Sequence, residues 1–209
     1  MYLSKLELNS GPGCRALLRD LASPYEMHRT ILRAFPSADA GGPGRVLFRL
    51  EPTRPDDPVV LVQSDKAPDW SALAAIPGYL AASPEPAKEL VLAIRSGQRL
   101  RFRLRANPTV KREGKRLGLL DDDAQQQWLL RKGLAGGFRP VDFVTCRAGR
   151  RVSPPTGPAH PREQTHYSVD FEGILEVLDP ECLTQTVAAG IGSGKAFGFG
   201  LLSLAPVPA

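Results

Sequence analysis

Apolar and polar residues alternate through Met1-Tyr-Leu-Ser-Lys-Leu-Glu-Leu8, the two-residue period of a strand with one buried face. After a Gly-Pro-Gly loop at 11–13 the period changes. Met27, Ile31 and Phe35 recur every four residues until Pro36 closes the run, which predicts a helix. Three signals mark its start: Ser23 as N-cap, Pro24 in the first turn, and Glu26 at the closing position of a capping box. The segments 45–50 and 59–63 return to strand patterning, joined by a connection rich in proline and aspartate. Residues 70–80 fit a helix broken at Pro77, and 89–94 a fourth strand. The order β-α-β-β-α-β predicts a ferredoxin-like module, the topology also found in RNA-recognition motifs.

The second half repeats the order. Residues 100–105 form a predicted strand, and 121–134 a helix with Asp121, Asp122 and Asp123 at its positive end. Strands are expected at 141–145 and 167–177, a helix at 180–189 and a last strand at 201–204. Two tandem ferredoxin-like (RRM-like) domains of the α+β class account for the chain. They are expected to join near Arg95–Gly97, with an N-terminal domain over 1–95 and a C-terminal domain over 96–209.

At 42% hydrophobic residues the composition is that of an ordinary globular protein. No apolar run is long enough to span a bilayer, and no charged-then-apolar leader opens the sequence, so no membrane is implicated. Cys14, Cys146 and Cys182 are odd in number and far apart; they form neither a disulfide framework nor a zinc pattern, and a cytoplasmic location is expected. The net charge of +5 becomes informative once it is divided. Residues 95–162 hold 16 Lys and Arg against 5 Asp and Glu, a local charge of +11. Residues 1–94 carry −1 and 163–209 carry −5. A positive middle third is the footprint of a nucleic-acid binder, with a solvated arginine-rich surface as the plainer alternative.

Within that third, Arg99, Arg101, Arg103 and Arg105 alternate with Leu100, Phe102 and Leu104. In a strand this places four guanidinium groups on one face, where they repel each other unless a polyanion lies across them. An aggregation-blocking edge strand is the competing explanation. A second basic stretch, with Lys111, Arg112, Lys115 and Arg116, follows in an expected loop. Near the end, five glycines surround Lys195 in Gly190-Ile-Gly-Ser-Gly-Lys-Ala-Phe-Gly-Phe-Gly200. Gly192, Gly194 and Lys195 suggest a phosphate-contacting loop. A nucleotide P-loop is disfavoured: Ala196 stands where magnesium needs Ser or Thr, and Ala189 where the first motif glycine belongs.

On the first predicted helix, Tyr25 and His28 are surface neighbours, with Arg29 and Arg33 further round. Imidazole is the natural proton carrier near neutral pH, and a phenol can orient a hydroxyl. A structural histidine at the core margin competes with that reading, and His160 and His166 are rival bases. No carboxylate cluster has a metal-site pattern and no cofactor is expected, so a nuclease here would be metal-independent. It would then need RNA, whose own 2′-hydroxyl attacks the adjacent phosphorus.

Several segments occur in one order: Met1-Tyr-Leu-Ser-Lys5, Phe102-Arg-Leu-Arg-Ala-Asn-Pro108, Lys115-Arg116, Gln127-Trp-Leu129, Phe171-Glu-Gly173, and the glycine-rich tail running into Gly200-Leu-Leu-Ser-Leu-Ala-Pro206. With them the chain resembles the CasE family, the CRISPR RNA-processing endoribonucleases of the type I-E Cascade complex. The resemblance implies binding of the CRISPR repeat hairpin and cleavage at the 3′ base of its stem, leaving a 2′,3′-cyclic phosphate. It also implies retention as a Cascade subunit contacting the backbone subunits, and a monomer outside the complex. It places the family's catalytic histidine at His28 and the tyrosine three residues before it at Tyr25. The basic residue before the Phe-Glu-Gly strand corresponds to Arg162, an arginine where some members have lysine. Arg131 and Lys132 join the basic residues above as phosphate contacts. The alternative within the same surface is a non-catalytic subunit that only holds the RNA hairpin. A small-anion enzyme using the glycine loop is a third reading, disfavoured by Ala196.

Overall fold

In the computed structural model, which describes residues 1–9, 11, 13–51, 58–153 and 163–208, the alternation at the N-terminus becomes β1 (Tyr2–Glu7). Ser4 and Leu6 are buried while Lys5 and Glu7 face out. Two helices follow, α1 (Arg15–Ala22) and α2 (Pro24–Leu32), separated only by Ser23. That one residue serves both. Its N–H donates to the Arg19 carbonyl at 2.9 Å and ends α1, and its Oγ accepts from the Glu26 N–H at 3.5 Å and starts α2. The expected capping box is therefore half made, because the Ser23 N–H is already engaged. The Glu26 carboxylate pairs with Arg29 at 3.2 Å and Arg19 at 3.6 Å instead.

β2 (Val46–Glu51) and β3 (Val59–Ser64) form as expected, and the helix after them is shorter. α3 spans only Ser71–Ala74, because Pro77 restricts the residue before it and the chain turns away. The fourth strand, expected over 89–94, is the two-residue β4 (Lys88–Glu89). Its ladder runs Leu3↔Lys88 and Tyr2↔Glu89, then ends as the Leu90 N–H reaches the Met1 carbonyl. The ladder stops there, and Val91 is exposed. The sheet order β2-β3-β1-β4, antiparallel throughout, is that of a ferredoxin-like fold. Met27, Ile31 and Phe35 pack into its core with Leu6, Leu17, Phe48, Val60 and Val62.

The second module repeats the order with β5 (Arg99–Ala106), α4 (Asp122–Ala135), β8 (Phe138–Ser153), β9 (Gln164–Val177), α5 (Pro180–Ala189) and β10 (Leu202–Pro206). Its sheet reads β10-β5-β9-β8, the same topology. Between β5 and α4 stands an element not expected from the sequence. The basic segment is a hairpin of β6 (Thr109–Arg112) and β7 (Lys115–Gly118). Glu113 and Gly114 turn it with φ of 48° and 77°, the two left-handed residues of a type I′ turn. The chain divides into two compact units, Met1–Val91 with Ala196–Gly198, and Leu92–Lys195 with Phe199–Ala209. Among the described residues, no helix is long and apolar enough to cross a membrane.

The glycine of the Phe171-Glu-Gly173 segment has a structural cause. Gly173 pairs with Phe143 beside a register shift in β8, and a Cβ there would overlap the Asp142 carbonyl oxygen. Gly173→Ala is expected to cost about 3 kcal/mol by overpacking, seen as a lower urea midpoint at unchanged slope. An unchanged midpoint would mean that β8 slides to make room.

Candidate active site and nucleic-acid interface

In the first unit, α2 carries Tyr25 and His28 on the margin of its buried face, one turn apart and both half-buried. The His28 ring stacks on Phe48 of β2, with centroids 5.9 Å apart and planes at 14°. Nδ1 is enclosed and has no hydrogen-bond partner among the described residues, which leaves Nε2 as the nitrogen able to meet a ligand. Burial lowers the His28 pKa below its ordinary 6.5, because the surroundings disfavour the charged ring. Burial therefore favours the neutral imidazole at pH 7. Tyr25 packs on Phe197, centroids 5.7 Å apart, and its hydroxyl makes no hydrogen bond among the described residues. Arg29 is exposed but paired with Glu26, and Arg33 is exposed at the C-cap of α2.

In the second unit, β5 places Arg99, Arg101, Arg103 and Arg105 on one face and buries Leu100, Phe102, Leu104 and Ala106 on the other. The expectation that only a polyanion answers these four charges needs correction. β9 lies beside β5 in a register that sets Glu176, Glu172 and Asp170 opposite Arg99, Arg103 and Arg105. Arg105 holds Asp170 through two bonds of 2.7 and 2.8 Å with both side chains largely buried, so it ties strand to strand. Arg103 pairs with Glu172 at 2.8 Å, and Glu176 is held by Arg139 at 2.6 Å. Arg99 and Arg101 remain exposed, with no ion pair among the described residues.

The hairpin has no such compensation. Lys111 stands opposite Arg116 and Arg112 opposite Lys115, all exposed, so two like-charged pairs face each other across one ribbon. The ribbon's base is firm: Gly118 leaves no room for a Cβ against the Tyr167 ring, and the Leu119 N–H donates to the Pro108 carbonyl at 2.9 Å. On α4, Arg131 and Lys132 are exposed. Arg150, exposed on β8, adds a cation that the sequence reading did not single out; the count of +11 over 95–162 was its signal.

Within the glycine-rich tail, a side chain at Gly192 would stand 3.0 Å from the Trp128 ring and one at Gly194 3.0 Å from Phe199. These glycines are accounted for by close packing before any anion is considered. Lys195 is half-buried and donates to the Gly192 carbonyl at 3.0 Å. His166, a rival base, is buried and serves the same packing. The Asn107 Oδ1 accepts from the Tyr167 N–H at 3.1 Å, which turns its amide nitrogen toward His166 Nδ1, also at 3.1 Å. Burial lowers the His166 pKa, and the ring acts as a neutral strut. Arg162 and His160 lie outside the described residues. Among the described residues, no group of acids, histidines and cysteines is arranged to hold a metal ion.

Comparison with known proteins places this geometry in context. The profile of a family described as CRISPR associated protein matches residues 1–206. The chain is 43% identical to the CRISPR-associated endoribonuclease Cse3 of Thermus thermophilus, over 99% of this chain and 100% of that protein. It is 32% identical to the CRISPR system Cascade subunit CasE of Escherichia coli, again over 99% and 100%. Among solved structures it is similar to Thermus thermophilus Cse3 bound to an RNA representing a pre-cleavage complex. That match has a TM-score of 0.83 at 40% identity and covers 99% of this chain and 100% of the other.

Proposed function

Because this chain belongs to the CasE family of CRISPR-associated proteins, we propose that it is an endoribonuclease that binds the CRISPR repeat hairpin and cuts precursor CRISPR RNA at the 3′ base of the stem. It then stays on the product as a Cascade subunit, in the cytoplasm where the transcript is made. The observation that carries the chemistry is His28, a neutral imidazole with Nδ1 enclosed and Nε2 open. A neutral Nε2 takes the proton of the 2′-hydroxyl as that oxygen bonds to phosphorus. The bond from phosphorus to the 5′ oxygen breaks and that oxygen takes a proton from water, giving a 2′,3′-cyclic phosphate and a 5′-hydroxyl. Tyr25 positions the hydroxyl or phosphate. Arg162 offsets the extra negative charge on phosphorus, which a guanidinium does well without giving up a proton.

We assign the chemistry to the first unit and most of the phosphate binding to the second. Arg99, Arg101, the four hairpin cations, Arg131 and Lys132 form the phosphate contacts there, with Arg103 as a partial contributor because of Glu172. Arg105 contributes through the sheet only. Arg29 and Arg33 add charge beside the cleavage site, and the Gly192–Lys195 loop contacts the RNA backbone. Since side chains reach few base edges in an A-form stem, specificity follows hairpin shape and the unpaired ends.

The test is incubation with repeat RNA in EDTA, beside a copy lacking the scissile 2′-hydroxyl. Cutting of the first and not the second is expected. Binding without cutting of either would favour a subunit that only holds the hairpin. A second expectation concerns pH. Because burial sets the His28 pKa below 6.5, the base form is favoured at pH 7 and the acid limb of the single-turnover rate should be centred below 6.5. The rate should fall tenfold per pH unit only below the lowered pKa. An acid limb centred at or above 6.5 would assign the limiting proton to another group.

A further inference from the structure

The ring of His28 lacks the hydrogen bond that fixes His166. Among the described residues neither of its nitrogens has a partner, so its plane is set by packing, and the packing is on Phe48. Phe48 in turn is fully buried, and against its ring edge lies Gly198 from the glycine-rich tail. Gly198 has φ of +80°, and a Cβ there would come within 3.2 Å of the Phe48 ring edge. A side chain there would press the Phe48 ring, on which His28 stacks, out of its place by a few tenths of an ångström. The preceding residue, Phe197, is buried and packs on Tyr25 at 5.7 Å. Ala196–Gly198 thus belong to the first unit although their neighbours on both sides belong to the second, and both candidate reacting side chains rest on what these residues hold.

We propose that Ala196–Gly198 is a positioning element for the cleavage reaction, in which Phe197 fixes the Tyr25 ring and Gly198, through Phe48, fixes the plane of His28. The inference rests on the assignment of His28 and Tyr25 as the reacting pair. Its physical basis is that a general base acts only within hydrogen-bond reach and correct alignment. A ring without a hydrogen bond to hold it swings about χ1 and χ2 unless its faces are packed. Displacement of a reacting group by about 1 Å costs on the order of 100-fold in rate.

Phe197→Leu and Gly198→Asn test the proposal. Leucine keeps bulk but not the flat ring, and asparagine tolerates the left-handed backbone while its Cβ presses on Phe48. Single-turnover cleavage at saturating repeat RNA is expected to fall on the order of 10- to 100-fold in both variants, with hairpin affinity unchanged. Phe197→Tyr, which keeps the ring, should recover most of the rate. The chain has three histidines, so the His28 imidazole can be followed by NMR. Its ring-current shift from Phe48 should diminish in Gly198→Asn. Wild-type cleavage in a folded Phe197→Leu would overturn the proposal, as would equal loss of rate in Phe197→Tyr. Should Gly198→Asn fail to fold, the Phe197 pair decides alone. The underlying assignment fails separately: cleavage retained in His28→Ala removes the reacting residue, whereas an inactive His28→Ala beside a fully active Phe197→Leu removes only the positioning role.

Discussion

His28→Ala is expected to slow single-turnover cleavage of the repeat hairpin by about 10²- to 10⁴-fold, the contribution of a positioned general base, with hairpin affinity left nearly as it was. The two effects separate because burial favours the uncharged form of His28 at pH 7, which contributes little to the electrostatic attraction of RNA. A complication is the half-buried ring. Its removal opens space beside Phe48, and stability falls as for other large-to-small changes at a core margin. His28→Asn fills more of that space and serves as the companion variant. Thermal melts of both, run beside the cleavage and binding assays, distinguish chemistry from folding. Loss of rate and affinity together, with a lowered melting temperature, would make His28 a structural residue. Retained cleavage would transfer the proton role elsewhere.

Alanine at Lys111, Arg112, Lys115 and Arg116 together is expected to weaken hairpin binding strongly and flatten its salt dependence. Each phosphate-contacting cation contributes roughly one unit to the slope of log K against log salt, so four lost contacts remove about four. The same variant should melt no lower than the native protein. In the free chain these residues form two directly opposed like-charge pairs on an exposed ribbon, and such pairs destabilise the ribbon. A surface that weakens its own element and strengthens binding belongs to a partner of opposite charge. Fluorescence anisotropy across a salt series measures the slope. An unchanged slope would take the hairpin out of the interface, leaving Arg99, Arg101 and α4 to carry it. Replacing Arg105 alone should do the reverse, lowering stability through its buried pair with Asp170 while moving the slope little.

The order of the two modules' elements and the start and buried face of α2 were legible in the chain, because both are written in local patterns. The four-residue recurrence of Met27, Ile31 and Phe35 and the Ser23-Pro24 start lie within one short window, and the structure buries those residues and caps the helix at Ser23. The alternation of 99–106 likewise fixes one arginine face on β5. Short elements were missed. α1 is one-sided, with Leu17 buried and Arg15 and Arg19 exposed, but its eight residues run directly into α2, and the β6-β7 hairpin offers only the facing pair Val110 and Leu117 among its charges. The length of β4 was misjudged because it is set by pairing with β1, some 85 residues earlier in the chain.

The sequence by itself determined two β-α-β-β-α-β modules, a basic middle third, and a histidine and tyrosine one helical turn apart, since each follows from period, composition or spacing along the chain. Only the tertiary structure decided which charges remain available and what holds the histidine. Glu172 and Asp170 neutralise Arg103 and Arg105 through a register that joins distant segments, and Gly198 reaches Phe48 across 150 residues. Cross-strand register and close packing are set by the whole core at once. The free energy of each contact depends on partners that no local window contains.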